Sequence, residues 1–176
     1  MKRDVSLWQL GGFAVTAVGG TLLHFLYDWS GESLLCASFS GVNESTWEHM
    51  KLLYFPMAAF ALVQRQYFRE QTDFWAVKFC GMTLGLVLIP AVFYTYNGAI
   101  GKSPDWFNIG IYFASAAGAL LLESHLFRKN ALTCRRQAIF AAGILLIGML
   151  FVIFTFRPPR LPIFRDPLTG MYGRKI

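Results

Sequence analysis

Apolar residues run along the chain in five long stretches, at about 7–27, 47–67, 74–96, 106–127 and 137–156, separated by short polar segments. Each approaches or exceeds the roughly 20 residues that a helix needs to cross a hydrocarbon core about 30 Å thick. The pattern predicts an all-α fold. Residues 1–157 form a polytopic transmembrane bundle of about five spans, and residues 158–176 form an extended Pro-rich tail folded on the outer face. Small residues recur four apart as Gly12, Thr16 and Gly20, as Gly81 and Gly85, and as Gly110, Ala114 and Gly118. Such spacing predicts helix faces that approach closely in lipid. Trp8, Trp29, Trp47, Trp75 and Trp106 fall near span ends, where aromatic rings anchor at the membrane interface. Met-Lys-Arg at the start resembles the head of a signal peptide, but the apolar run after it is too long and has no small-residue cleavage exit. It reads as a retained span.

Composition agrees with lipid as the solvent. The chain is 55% hydrophobic and 15% charged, against about 45–50% and about 25% in soluble domains. Sixteen Lys+Arg against ten Asp+Glu give a net charge of +6. The excess reports loop orientation rather than a nucleic-acid partner, because no basic stripe accompanies it. With the N-terminus cytoplasmic, the inner segments hold Lys2, Arg3, Arg65, Arg69, Arg128, Lys129, Arg135 and Arg136, and the outer inter-helix loops only Lys102. The tail, with Arg157, Arg160, Arg165, Arg174 and Lys175, then lies outside against this trend. Early helices dominate orientation, so the reading is a plasma-membrane protein with an extracytoplasmic C-terminus. Either orientation puts the first loop, the third loop and the tail on one side. Cys36, Cys80 and Cys134 sit in separate segments and offer neither disulfide nor zinc spacing.

That side is chemically loaded. The segment GVNESTWEHMKLLYFP, residues 41–56, brings Glu44, Glu48, His49 and Lys51 to the mouth of an apolar run. Ser45 to Glu48 fits a capping box, in which Ser45 caps the helix and Glu48 reaches back to a free N–H. Glu44 suits the positive end of the helix dipole. Lys51 shares a face with Glu48 and Glu44 and predicts an intrahelical ion pair. His49 is turned about 100° from Glu48, so one centre would use it with a single glutamate. At the end of the first span, His24 and Asp28 continue the face of Gly12, Thr16 and Gly20. Ionisable groups at such depth are functional candidates by default, and His24, Asp28, Glu48 and His49 are expected to converge above Lys51. Tyr94 and Tyr96, Asn97, Lys102 and Asp105 lie on the same side, whereas Glu123, His125 and Cys134 fall at the opposite end and read as interfacial. In the tail, Pro159, Leu161, Ile163 and Phe164 need cover, and Asp166-Pro167 with Gly170 predicts a turn.

HFLYDWSG, VNESTWEHMKLLYFP, IPAVFYTYNGAIG and FRPPRLPIFRDPLTGMYG together resemble a family of small bacterial multi-spanning proteins of unknown function. The resemblance implies a bacterial integral membrane protein with these motifs on one side, and no activity. From the residues themselves three functions stand. One is a membrane-embedded metal-dependent hydrolase acting on a lipid-type substrate. It would use His24, Asp28 and His49 as ligands of a divalent metal such as zinc, Glu44 or Glu48 as base, and Lys51 as oxyanion partner. The second is a small transporter or proton-coupled protein, disfavoured because the charges gather at one end. The third, narrowly preferred, is a non-catalytic accessory or binding protein whose polar cluster engages a partner or a lipid-type ligand, or staples its own loops. Cofactor identity and oligomeric state are not legible.

Overall fold

Five long helices, each antiparallel to the next, make the bundle: α1 (Lys2–Trp29), α3 (Thr46–Tyr67), α4 (Phe74–Ala99), α5 (Asp105–Lys129) and α6 (Gln137–Phe156). A four-residue helix, α2 (Leu34–Ala37), lies in the first loop, and one 3-10 turn, Pro162–Phe164, follows α6. The structure is a computed structural model that describes residues 2–129, 132 and 136–174, with only the backbone of Lys2 and Arg3. Cys134, Arg135 and Lys175 lie outside the described residues. The fold is all-α, as the apolar pattern predicts.

Helices α1, α4, α5 and α6 are long and apolar enough to cross a membrane, and the chain is a membrane protein. The remaining predicted span, α3, forms as a helix of 22 residues but is not among the four. Its composition is less apolar, with Glu48, Lys51, Gln64 and Arg65 along its length, and its position accommodates them. It packs against α1, α4 and α6, and 11 of its residues are buried, so protein rather than lipid surrounds much of it. A helix so placed tolerates Glu48, Lys51 and Gln64 where a lipid-facing one would not.

Small residues set the close approaches. A side chain on Gly12 would press on Phe60 and Leu120, one on Gly20 on Tyr112 and the Leu52 carbonyl, and one on Gly85 on Ala119 and Leu53. Pro56, inside α3, packs over Gly19 of α1. The face proposed on the fourth span does not hold. Gly110 has open space around it and Ala114 is exposed, because α5 packs through Ile111, Ser115, Ala116, Ala119, Leu120 and Glu123 instead. Leu53, Met57, Met82, Leu86 and Ala119 belong to the apolar core midway along the bundle.

The tail docks. Phe164 is buried against Trp47 and Phe154, at ring-centroid distances of 4.7 and 5.4 Å. Trp47 thus serves as a seat for the tail and for α6 rather than as a membrane anchor. Asp166 builds the turn, accepting from Leu168 N (2.8 Å) and Thr169 Oγ1 (2.7 Å). Asn43 Nδ2 in the first loop donates to Gly173 O (2.9 Å). Gly173 has φ +66°, and a side chain there would meet Pro158 at 2.9 Å and the Thr155 carbonyl at 3.0 Å. Glycine is therefore the residue that fits.

Candidate functional site

The start of α3 organises the tail end of the bundle. Asn43 Oδ1 accepts from Ser45 N (2.8 Å), forming a local turn. Ser45 then caps the helix, accepting from Glu48 N at 3.4 Å. The capping box is only half made. Glu48 does not return to the Ser45 N–H, which Asn43 already holds; its Oε2 accepts from Val42 N (3.2 Å) instead. The diversion leaves Glu48 pointing into the bundle.

There it meets Lys51. Nζ donates to Glu48 Oε2 (2.7 Å), to Thr155 Oγ1 of α6 (2.7 Å) and to the Ala37 carbonyl at the end of α2 (2.9 Å). Three ammonium donors find three acceptors. Thr155 Oγ1 also lies 3.2 Å from Glu48 Oε1 and 2.9 Å from Phe151 O. Lys51 is 0% exposed and Glu48 2%. The pair joins α2, α3, α6 and the first loop in one knot, and neither member faces solvent.

Glu44 takes the other route. Its Oε2 is 3.4 Å from His49 Nε2 and its Oε1 3.9 Å from His24 Nε2. The two imidazoles lie 5.7 Å apart between ring centroids. Both histidines are 34% exposed and Glu44 43%, so this group is open. His49 Nδ1 is 3.0 Å from the Ser45 carbonyl. A carbonyl only accepts, so Nδ1 carries the proton of that bond. The Glu44 carboxylate thus sits between the Nε2 atoms of the two histidines.

Asp28 does not join. It is exposed at the end of α1, where the face that buries Gly12, Thr16 and Gly20 has opened to solvent. Among the described residues no group of three or more His, Cys, Asp or Glu side chains is placed to hold a metal. The expected single pocket of His24, Asp28, Glu48 and His49 is instead two adjacent groups. An open one contains His24, Glu44 and His49, and a closed one contains Glu48, Lys51 and Thr155.

A second buried pair lies at the opposite end. Lys78 Nζ of α4 donates to Glu123 Oε2 of α5 (2.6 Å), with exposures of 1% and 0%. Glu123 is therefore not interfacial, although His125, two residues on, is exposed. Gln9 is buried beside Glu123. A lysine within FWAVKF, flanked by apolar residues near the start of the third stretch, is the signal that points to a buried partner. Thr155 and the Ala37 carbonyl carry no such signal, since a lone threonine in an apolar span and a backbone oxygen look like nothing in particular.

No curated protein and no solved structure matches the chain. Residues 1–174 match the family of unknown function DUF6512, and the chain belongs to that family.

Proposed function

We propose that this protein is a multi-pass component of a bacterial plasma membrane with a non-catalytic binding or accessory role. Its N-terminus would be cytoplasmic, its tail extracytoplasmic, and His24, Glu44 and His49 would be the open contact site. The observation that carries this reading is the closure of Glu48 and Lys51. An oxyanion partner must reach a substrate, and Lys51 is buried and occupied by Glu48, Thr155 and Ala37, with Glu48, one of the two candidate bases, closed off beside it. Transport is less well supported. The polar groups at the two ends are separated by the apolar core around Leu53, Met57, Met82 and Leu86, rather than threading through it.

The test is elemental analysis of detergent-purified protein, paired with an assay for hydrolysis of lipid-type esters, on the wild type, His24→Ala and His49→Ala. The expected result is no stoichiometric metal that tracks the histidines and no hydrolysis. One metal per chain, lost together with ester hydrolysis in both variants, would overturn the proposal in favour of a metal-dependent hydrolase.

A further inference from the structure

The docked tail does more than cover the bundle end, because it forms one wall of a groove. The opposite wall is Thr46 at the start of α3 with Phe93 and Tyr94 near the end of α4, and the tail supplies Pro162, Arg165 and Pro167. The cavity is about 290 Å³, at the lower limit of ligand pockets, which run about 300–1,000 Å³. That size suits a headgroup rather than a whole lipid.

The charges in this groove are unevenly committed. Asp166, the one acid between residues 157 and 174, also lines it. Its carboxylate is buried and consumed by Leu168 N and Thr169 Oγ1. The Arg165 guanidinium, in contrast, is exposed and makes no hydrogen bond or ion pair among the described residues. Across from it, the Thr46 and Tyr94 hydroxyls meet at 3.4 Å, adding polar contacts above an apolar floor. The groove thus offers an unpaired planar cation, whose fork of donors matches phosphate oxygens, next to hydroxyls and an aromatic ring.

Its level in the bundle indicates the source of that phosphate. Tyr94 lies in the last turns of α4, a helix apolar enough to span a membrane. Val87 and Val92 below it are exposed, as lipid-facing residues are. Tyrosines at such a place sit at headgroup depth. Arg157 is exposed nearby in the chain and adds attraction for an anionic surface. We infer that the groove binds the phosphate-bearing headgroup of an anionic phospholipid, with Arg165 on the phosphate, the Thr46 and Tyr94 hydroxyls beside it, and the acyl chains descending along α4. The inference is independent of the His24–Glu44–His49 site and survives any outcome there.

Full-length protein in neutral detergent is titrated with dihexanoyl phosphatidylglycerol, dihexanoyl phosphatidylcholine and inorganic phosphate, and binding is followed by native mass spectrometry. The expected result is one phosphatidylglycerol per chain. Arg165→Gln should weaken it about tenfold or more, the loss of a charge-assisted contact, and Tyr94→Phe should weaken it in the same direction. Arg160→Gln, outside the groove, should leave it unchanged. Equal loss in Arg160→Gln would mean diffuse attraction to a basic tail and overturn the site. Equal binding of phosphatidylcholine would overturn the preference for anionic lipid. Inorganic phosphate that binds as well and displaces the lipid would identify a free-anion site instead. Full binding by Arg165→Gln would refute the assignment outright.

Discussion

Replacing Lys51 with methionine removes the ammonium and keeps most of the apolar stem, so the change isolates the knot at the start of α3. Glu48 is then a buried carboxylate without its cation, and the Ala37 carbonyl and Thr155 hydroxyl each lose a donor. Breaking a buried pair by removing one partner costs about 3–5 kcal/mol. For a chain of this size that corresponds to a fall in melting midpoint of about 6–20 °C, at roughly 2–4 °C per kcal/mol. Glu48→Leu should lose a similar amount. The double variant, Glu48→Leu with Lys51→Met, no longer buries a lone charge. Its remaining losses are the Ala37 carbonyl, the Val42 N–H and the Thr155 hydroxyl, about 1 kcal/mol each. It should therefore fall short of the sum of the single changes by at least about 3 kcal/mol. The assay is heat-induced loss of monodisperse protein in detergent for all four forms. A Lys51→Met midpoint within about 1 kcal/mol of wild type, or strict additivity in the cycle, would refute the knot.

Gly173→Ala should loosen the tail, since the new Cβ would meet Pro158 and the Thr155 carbonyl. Limited proteolysis should then cut after Pro158 faster, and an unchanged cutting rate would contradict the docking. Lys78→Met should destabilise by about 3–5 kcal/mol, as for any buried pair broken on one side, and its effect should add to that of Lys51→Met. A cycle between the two showing strong coupling would mean the polar ends communicate through the core. Reporter fusions at Gly98 and after Ile176 should read the same side of the membrane, and opposite readings would break the shared-side topology.

The helices were legible because each is a long apolar run, and the side on which the chemistry gathers followed from their number. The spacing in VNESTWEHMK was enough to put Lys51 on a face with Glu48, but not to show that His49 pairs with Glu44 and stays apart from Glu48. What the spacing hid was the destination of each carboxylate. Glu48 turns inward because Asn43 has already taken the Ser45 N–H, a competition between neighbours that no single motif displays. Asp28 shares the helix face of His24, but a face says nothing of where a helix end leaves the bundle. Thr155, brought to Lys51 across 104 positions of sequence, is a tertiary fact with no local mark. Glu123 was misplaced for a simpler reason: it lies near a helix end, and its partner Lys78 lies on another helix.

The most direct measurement of the central claim, that one polar group is closed and its neighbour open, is covalent footprinting of the intact protein by mass spectrometry. Diethyl pyrocarbonate reports histidines, an acylating reagent reports lysines, and the exposed His125 and Lys102 serve as internal standards. His24 and His49 should react at a substantial fraction of the His125 rate, while Lys51 and Lys78 stay unmodified until the protein unfolds. Acylation of Lys51 in the folded protein at a rate near that of Lys102, with His24 and His49 protected, would reverse the assignment of the two groups.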